Sequence, residues 1–213
     1  FTTQRQLEVV PPGADSWRPL PRVRLAEGAH PESVAFGALG YADAALSSYR
    51  VFARLKRDGV VPVGCRFQVC LPTPLAPISA FVVPEHQALL EPAYEEQVVR
   101  ELGAILGELP HDQIAVQWDT NFELGMLEGV FPVWFGEVKG GILERLLRIS
   151  RHVPPDVPLG YPLCYGDVQH RHAAGEGEVA RQSRGRGVIE IPDEAEAGDG
   201  GERRRAAFRG AEA

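Results

Sequence analysis

Apolar residues recur with helical spacing in three segments of the chain, and shorter apolar runs lie between these segments. The helical spacing predicts three helices, over 41–58, 92–109 and 137–153. Runs rich in Val, Ile, Cys and Phe predict four strands, over 34–39, 63–71, 113–119 and 157–167. The resulting order, β-α-β-α-β-α-β, is typical of parallel strands that are joined by crossover helices.

This alternation is compatible with an open doubly wound sheet or with half of a (β/α)8 barrel. A complete barrel usually needs about 250 residues, and only about 140 residues of this chain carry the alternating pattern. We therefore predict an α/β fold: a partial, truncated TIM-type (β/α)8 barrel, with parallel strands and crossover helices.

Composition divides the chain into three parts. Residues 1–33 are rich in proline and predict an extended lead-in with turns, and residues 34–172 carry the partial β/α barrel. Residues 173–213 contain eight Gly, nine Ala and sixteen charged residues but no Leu. Such a segment buries too little apolar surface to offset the entropy lost on ordering, so we expect a disordered low-complexity tail.

The charge balance bears on the class of partner. The net charge is −7 and the pI is near 5.4, so the chain lacks the basic character typical of proteins that bind nucleic acid or anionic membranes. No apolar run approaches the roughly 18 residues needed to span a bilayer. We expect a small-molecule substrate and no nucleic-acid or membrane partner. Self-association through the exposed strand edges of a truncated barrel stays open.

Cysteine usage indicates the compartment. The three cysteines, Cys65, Cys70 and Cys164, are an odd number, which favours free thiols in the cytoplasm over a disulfide framework. Cys65 and Cys70 are five residues apart on one predicted strand and therefore face opposite sides, which argues against a shared metal site.

Candidate chemistry lies at the strand ends, because parallel α/β folds bind their ligands at the carboxyl ends of the strands. Thr73 follows the first long strand, while Gln117 and Asp119 end the next one on a shared face. We predict that these three residues bind substrate and that Asp119 is catalytic, accepting a substrate N–H or moving a proton. A role for Asp119 as an N-cap or loop anchor remains equally open.

The last predicted strand ends in the sequence GYPLCYGDVQHRH, over 160–172. Asp167 is the second predicted catalytic acid, and His170 and His172 are possible imidazole ligands. For Cys164, three roles stay open: a metal ligand, a nucleophile or a small buried hydrophobic residue. Its spacing to the histidines is a weak zinc signature, because structural zinc normally shows two paired ligand clusters and catalytic zinc three protein ligands.

Three further side chains near Asp119 are assigned to packing or to solvent. Trp118 points away from Gln117 and Asp119 and should pack beneath the helices. Glu123 and Glu128 are interpreted as solvated loop acids. The chain contains no GxGxxG, GxxxxGK[ST] or GxSxG sequence, so nucleotide binding and serine hydrolysis lack their usual motifs.

Four segments carry a family resemblance within residues 34–172: LGYADAALSSYRVFARLKRDG, RFQVCLPTP, IAVQWDTNFELGMLEG and GYPLCYGDVQHRH. They resemble the superfamily of cobalamin-independent methionine synthase and uroporphyrinogen decarboxylase, and within it an uncharacterised branch of methionine-synthase-like barrels. The resemblance implies a (β/α)8 barrel whose site lies at the carboxyl-end mouth. It also implies methyl transfer to, or decarboxylation of, a small anionic metabolite.

The resemblance also implies roles for particular residues. Methionine synthases hold the substrate amino group with the aspartate of a Gln-x-Asp-Glu-Pro strand end; Gln117 and Asp119 match its start, although Thr-Asn replaces Glu-Pro. They bind zinc with a His-x-Cys pair, of which Cys164 matches the cysteine, whereas Pro162 takes the histidine position and cannot ligate. At most one expected zinc ligand is therefore matched, and no other cofactor is implied. The decarboxylases use no metal and place an aspartate beneath the pyrroles, a part that Asp119 could play.

Three functions remain open on the sequence. The first is an enzyme fragment related to methyltransferases or decarboxylases, with an impaired or absent zinc site. The second is a non-catalytic or vestigial protein that binds a small molecule. The third is an assembly module that pairs through an open barrel edge.

Overall fold

The computed structural model describes residues 6–11 and 20–162, and within them the chain forms a mixed α/β fold. The strands are β1 (Leu7–Val10), β2 (Arg22–Leu25), β3 (Phe67–Pro72), β4 (Ile114–Asp119) and β5 (Leu159–Gly160). The helices are α1 (Tyr41–Arg57), α2 (Leu75–Phe81), α3 (Gln87–Glu108), α4 (Asn121–Leu127) and α5 (Val138–Ser150). The predicted tail over 173–213 lies outside the described residues, as do Cys164, Asp167, His170 and His172.

The larger sheet has the strand order β3-β4-β5, and all three strands are parallel. The chain passes from β3 to β4 through α2 and α3, and from β4 to β5 through α4 and α5. Phe67 lies opposite Ile114 and Pro72 opposite Asp119, so β3 and β4 pair over their full length and end together. The carboxyl ends of these two strands therefore form one rim of the sheet.

One face of β3 and β4 is buried and the other is polar. Val69, Leu71, Val116 and Trp118 alternate along the strands and enter the main core, where α1, α3 and α5 also contribute apolar side chains. Trp118 is fully buried there, as its position in the strand predicted. Burial of each large apolar side chain contributes about 1.5–3 kcal/mol, so this face provides much of the driving force for folding.

The predicted partial barrel is wrong. The described residues form a two-stranded antiparallel sheet and a three-stranded parallel sheet, both too small for a TIM-type barrel, and neither closes. Segment 34–39, predicted as the first barrel strand, forms no strand. Val34 and Phe36 are instead buried in the core, and the Leu39 N–H donates to a carboxylate oxygen of Glu101 in α3 at 2.7 Å. The apolar run is thus satisfied by packing and by a side-chain hydrogen bond rather than by a neighbouring strand.

The small sheet lies in the region where the sequence predicted only an extended lead-in. β1 and β2 pair antiparallel, with Leu7 opposite Leu25. The sheet docks on the connection between α2 and α3, where the Val83 N–H donates to the Val23 carbonyl oxygen at 3.0 Å. The pattern missed these strands because each has four residues and prolines lie close to both.

The long helices lie close to their predicted positions, with one difference at the start of α3. The helix predicted from residue 92 begins at Gln87, so Pro92 lies inside it. Pro92 is exposed, as is Ala88, whose carbonyl oxygen loses its helical partner and can be hydrated instead. Across residues 6–11 and 20–162, no helix combines the length and the apolar content that crossing a membrane requires.

Candidate functional site

The rim formed by the carboxyl ends of β3 and β4 brings three of the predicted site residues to one end of the sheet. Gln117 and Asp119 share a face of β4, and the Gln117 amide donates to Asp119 Oδ1 at 2.8 Å. Thr73 follows Pro72, which lies opposite Asp119. The other predicted catalytic acid, Asp167, lies in the part of the chain that the structure does not describe.

The polar face of the sheet carries a row of hydrogen-bonded side chains, here called the polar row: Gln68, Gln117 and Asp119. The Gln68 amide nitrogen donates to Gln117 Oε1 at 2.5 Å, and the Gln117 amide nitrogen donates in turn to Asp119. The two amides orient Asp119 and leave its second carboxylate oxygen with no hydrogen bond to the described residues. Asp119 is partly exposed, so this oxygen can accept a donor from a ligand.

Cys70 lies next to the polar row, opposite Gln117 on the neighbouring strand. Its sulfur is 3.4 Å from the Gln68 amide nitrogen. Cys70 is exposed as a residue, but partial desolvation of its thiol raises the pKa; the negative charge of Asp119 also raises it, and the Gln68 hydrogen bond acts in the opposite direction. A thiol with a raised pKa stays protonated near neutral pH, and the thiolate is the reactive form. Cys70 is therefore not activated as a nucleophile.

Glu123, in the first turn of α4, is buried, so its interpretation as a solvated loop acid is wrong. The Thr73 hydroxyl donates to Glu123 Oε1, while Oε2 is buried without a partner among the described residues. Burial raises the pKa of Glu123 to about 7, and the negative charge of Asp119 adds to the shift. Thr73, predicted to bind substrate, is itself buried and contacts Glu123 directly.

The sequence indicates that Glu123 is buried only if the segment after β4 is assumed to be helical. Glu123 and Met126 are three residues apart, so they share one face of α4, and both are buried. α4 packs that face against α2 and α5. The seven residues of α4 are too few to show a helical period, and the acid therefore looked solvated.

Two glycines allow the aromatic loop between α4 and α5 to pack closely on the helices that flank it. A methyl group at Gly125 would lie 2.5 Å from the Phe131 ring, and one at Gly141 would overlap the Phe135 ring. The loop residues join Leu75, Met126 and Ile142 in a small apolar cluster. Because the loop directly follows α4, this cluster braces the helix that carries Glu123.

The two acids near the rim have no positively charged partner among the described residues. In the described part of the chain, neither Asp119 nor Glu123 takes part in an ion pair. The indole nitrogen of Trp118, on the opposite, buried face of β4, also has no hydrogen-bond partner among the described residues. Leaving a buried polar group such as Glu123 Oε2 unpaired costs about 1–3 kcal/mol.

A second charged region lies between α3 and α5, and there Glu91 and Glu95 are each paired with an arginine. Arg145 donates to both oxygens of Glu91, at 2.5 and 3.0 Å, and the Trp134 indole nitrogen donates to the same carboxylate at 2.7 Å. Arg148 makes a similar two-bond pair with Glu95. The groove of about 490 Å³ between these helices is therefore lined by charges that are already matched. We interpret it as structural.

Metal binding finds no support at this rim. Among residues 6–11 and 20–162, no three His, Cys, Asp or Glu side chains are grouped so that they could hold a metal ion. The predicted zinc ligand Cys164 lies outside the described residues. Pro162, at its expected partner position, has no side-chain donor, and its carbonyl oxygen accepts the Thr120 hydroxyl at 2.6 Å.

Comparisons with models of protein families, with curated proteins and with solved structures found no match. The resemblance to the methionine synthase and uroporphyrinogen decarboxylase superfamily therefore stays a prediction from the sequence. The function has to be argued from the geometry of the rim itself.

Proposed function

We propose that the chain binds a small molecule that carries an ammonium group, at the rim formed by the carboxyl ends of β3 and β4. The observation that carries this proposal is the pair of carboxyl groups, Asp119 and Glu123, which have no cationic partner among the described residues. A ligand ammonium supplies both the positive charge and the N–H donors that these carboxyl oxygens lack.

Asp119 is the residue that we expect to contact the ammonium. Gln117 holds one of its carboxylate oxygens, and the other is available on the partly exposed face of the sheet. The resemblance described above gives independent support, because the aspartate that Asp119 matches holds the substrate amino group in methionine synthases. A small anionic metabolite with an amino group, such as an amino acid, fits both arguments.

Binding without turnover is the form of this proposal that the rim supports best. Methyl transfer of the methionine synthase type relies on zinc to activate a thiol, and the described residues provide no group of ligands for it. Decarboxylation of an anionic substrate needs basic residues near the site, and neither Asp119 nor Glu123 is paired with one among the described residues. We therefore propose the non-catalytic alternative for the part of the chain that contains β3 and β4. The exposed free thiols Cys65 and Cys70 favour the cytoplasm as its location.

The proposal is tested by screening amines against their desamino analogues. We would record two-dimensional NMR spectra of the isotope-labelled chain with each of the twenty proteinogenic amino acids, and then with the carboxylic acid that lacks the amino group. Ethylammonium tests the ammonium group alone. We expect shifts at residues around Asp119 with at least one amine and not with its analogue. Asp119→Asn should weaken binding about ten- to a hundredfold, because a hydrogen bond to a charged group contributes about 1.5–3 kcal/mol.

Glu96→Gln is the matched control, because Glu96 is exposed on α3 and pairs only with Arg100 in the described part of the protein. It should bind like the wild type. If no amine at millimolar concentration shifts residues at the rim, or if Asp119→Asn binds as tightly as the control, the proposal is wrong.

Self-association is a second candidate, and the position of β3 favours it. β3 lies at the edge of the larger sheet and pairs only with β4 among the described strands. An unpaired edge offers backbone N–H and C=O groups to a second chain. Light scattering after size exclusion, over a hundredfold range of concentration, should then show a mass that rises from 23.3 kDa towards twice that value. A constant monomer mass would exclude it.

A further inference from the structure

Among the described acids, Glu123 differs in how it is enclosed. Its side chain is almost fully buried. The Thr73 hydroxyl donates a hydrogen bond to one carboxyl oxygen, and the other oxygen has no hydrogen-bond partner among the described residues. The ionised form of a carboxyl group in this position lacks solvation and lacks a counter-charge. A cation bound beside Asp119 would supply that counter-charge.

The groups packed around Glu123 leave little else to balance its charge. α2 carries no titratable side chain, and the end of β4 contributes Asp119, which repels a second negative charge. From α5, Arg145 is already paired with Glu91, and Lys139 is exposed. The neighbouring thiol on β3, that of Cys70, has a raised pKa and carries no counter-charge.

We propose that Glu123 releases its proton when an ammonium ligand binds beside Asp119, so that ligand binding at the rim is coupled to proton release. This inference rests on the proposed function, because it needs the ammonium ligand, and it adds the coupling between ligand and pH.

The protons balance simply. The ligand arrives and remains as an ammonium ion, Glu123 changes from a carboxylic acid to a carboxylate, and its proton passes to the buffer. In the free protein, burial raises the pKa of Glu123 to about 7, so part of the population carries this proton near neutral pH. The bound cation lowers that pKa, because an opposite charge nearby favours the ionised form.

The sign of the pH dependence follows from this shift. Affinity should rise as the pH increases from the lower pKa of the complex to the higher pKa of the free protein, and then level off. If the cation lowers the pKa by one unit, the total gain in affinity is about tenfold.

Two measurements test the coupling. Calorimetric titration of the tightest-binding amino acid from the screen, at pH 7 in phosphate and in Tris, reports the number of protons released from the difference in binding enthalpy. Carbon-13 NMR of the glutamate carboxyl carbons follows Glu123 itself, with and without that amino acid. We expect release of a few tenths of a proton and a lower Glu123 pKa in the complex.

The variants separate this inference from the proposed function. Glu123→Gln keeps the acceptor for Thr73 and removes the titration, so its affinity should not change between pH 6 and 8; Glu96→Gln should behave like the wild type. If the wild type binds the amine with no proton release and an unchanged Glu123 pKa, the inference is wrong and the binding proposal stands. If no amine binds, both are wrong. Should Glu123→Gln fail to fold, the NMR titration of the wild type still decides.

Discussion

Glu101, in α3, accepts hydrogen bonds from backbone N–H groups at the start of α1. Replacing it tests how much this contact between the two helices contributes to the free energy of unfolding. Its Oε1 accepts the Leu39 N–H and its Oε2 accepts the Ala42 N–H, both at 2.7 Å. The N-cap residue of α1, Gly40, has no side chain to do this. Glu101 is buried, so no water can replace it in full.

The two hydrogen bonds set the magnitude of the effect. Each bond to a charged group contributes about 1.5–3 kcal/mol, so Glu101→Ala should lower the free energy of unfolding by about 3–5 kcal/mol. Glu101→Gln keeps one acceptor oxygen but turns an amide donor towards an N–H group, so it should lower the free energy of unfolding by about 2–3 kcal/mol. Against a typical stability of about 5–15 kcal/mol, either loss is readily measured by urea unfolding followed by circular dichroism.

The same residue predicts a pH dependence. Burial raises the pKa of the Glu101 carboxyl, but hydrogen bonds from Ala42, Leu39, Gln97 and Gly40 outweigh burial, and the net pKa is lowered. Its contribution to stability is therefore complete above the unfolded-state pKa of about 4.3 and is lost as the pH falls through the lower pKa of the folded state. Glu101→Ala should lose less stability than the wild type when the pH falls from about 5 to 3.

The exposed Glu96 on the same helix provides the control. Its ion pair with Arg100 is solvated, so Glu96→Gln should change the free energy of unfolding by about 0.5 kcal/mol or less. The reasoning fails if Glu101→Ala costs no more than about 1 kcal/mol, since a single hydrogen bond to a charged group already contributes more than that. It also fails if both variants follow the wild-type pH profile.

Three further single substitutions and one double variant test the packing of the helices. Gly125→Ala places a methyl group 2.5 Å from the Phe131 ring and should destabilise the chain by about 1–3 kcal/mol. Gly103→Ala, on the open face of α3, should instead stabilise it by up to about 1 kcal/mol. Thermal unfolding shows whether the midpoint falls in the first variant and rises in the second. Arg145→Met leaves the buried Glu91 carboxylate without its cation and should cost about 3–5 kcal/mol in urea unfolding, with a large part recovered in the double variant Glu91→Gln, Arg145→Met. Equal costs in the single and double variants would contradict the structural role of this pair.

Local patterns predicted the elements that local physics determines. Helical periodicity gave α1, α3 and α5 within a few residues, and β-branched and aromatic runs gave β3 and β4, because each of these segments repeats its pattern over several turns or pairs. The side on which Trp118 and Asp119 point followed from strand alternation alone. This is also why Gln117 and Asp119 were predicted on one face of the same strand.

Barrel closure and the burial of Glu123 depend on contacts between distant segments, so the pattern could not predict them. Segment 34–39 has strand-like composition, yet it pairs with none of the described strands, and Val34 and Phe36 are buried in the core instead. Glu123 is enclosed because α4 packs against α2 and α5, and neither α2 nor α4 was predicted. Thr73 was selected for its position after β3, but its partner could be found only in three dimensions.

The two acids near the rim have different surroundings, because the larger sheet has one buried face and one polar face. Parallel sheets are usually covered on both faces, and the polar row lets the second face of β3 and β4 meet water because its amides satisfy one another. Asp119 therefore lies at a hydrated edge, while Glu123, a few residues further along, lies in a dry one. Burial raises the pKa of Glu123. If the rim binds an ammonium ligand as proposed, this difference in burial lets Asp119 hold the cation at the surface while Glu123 responds to it by losing its proton.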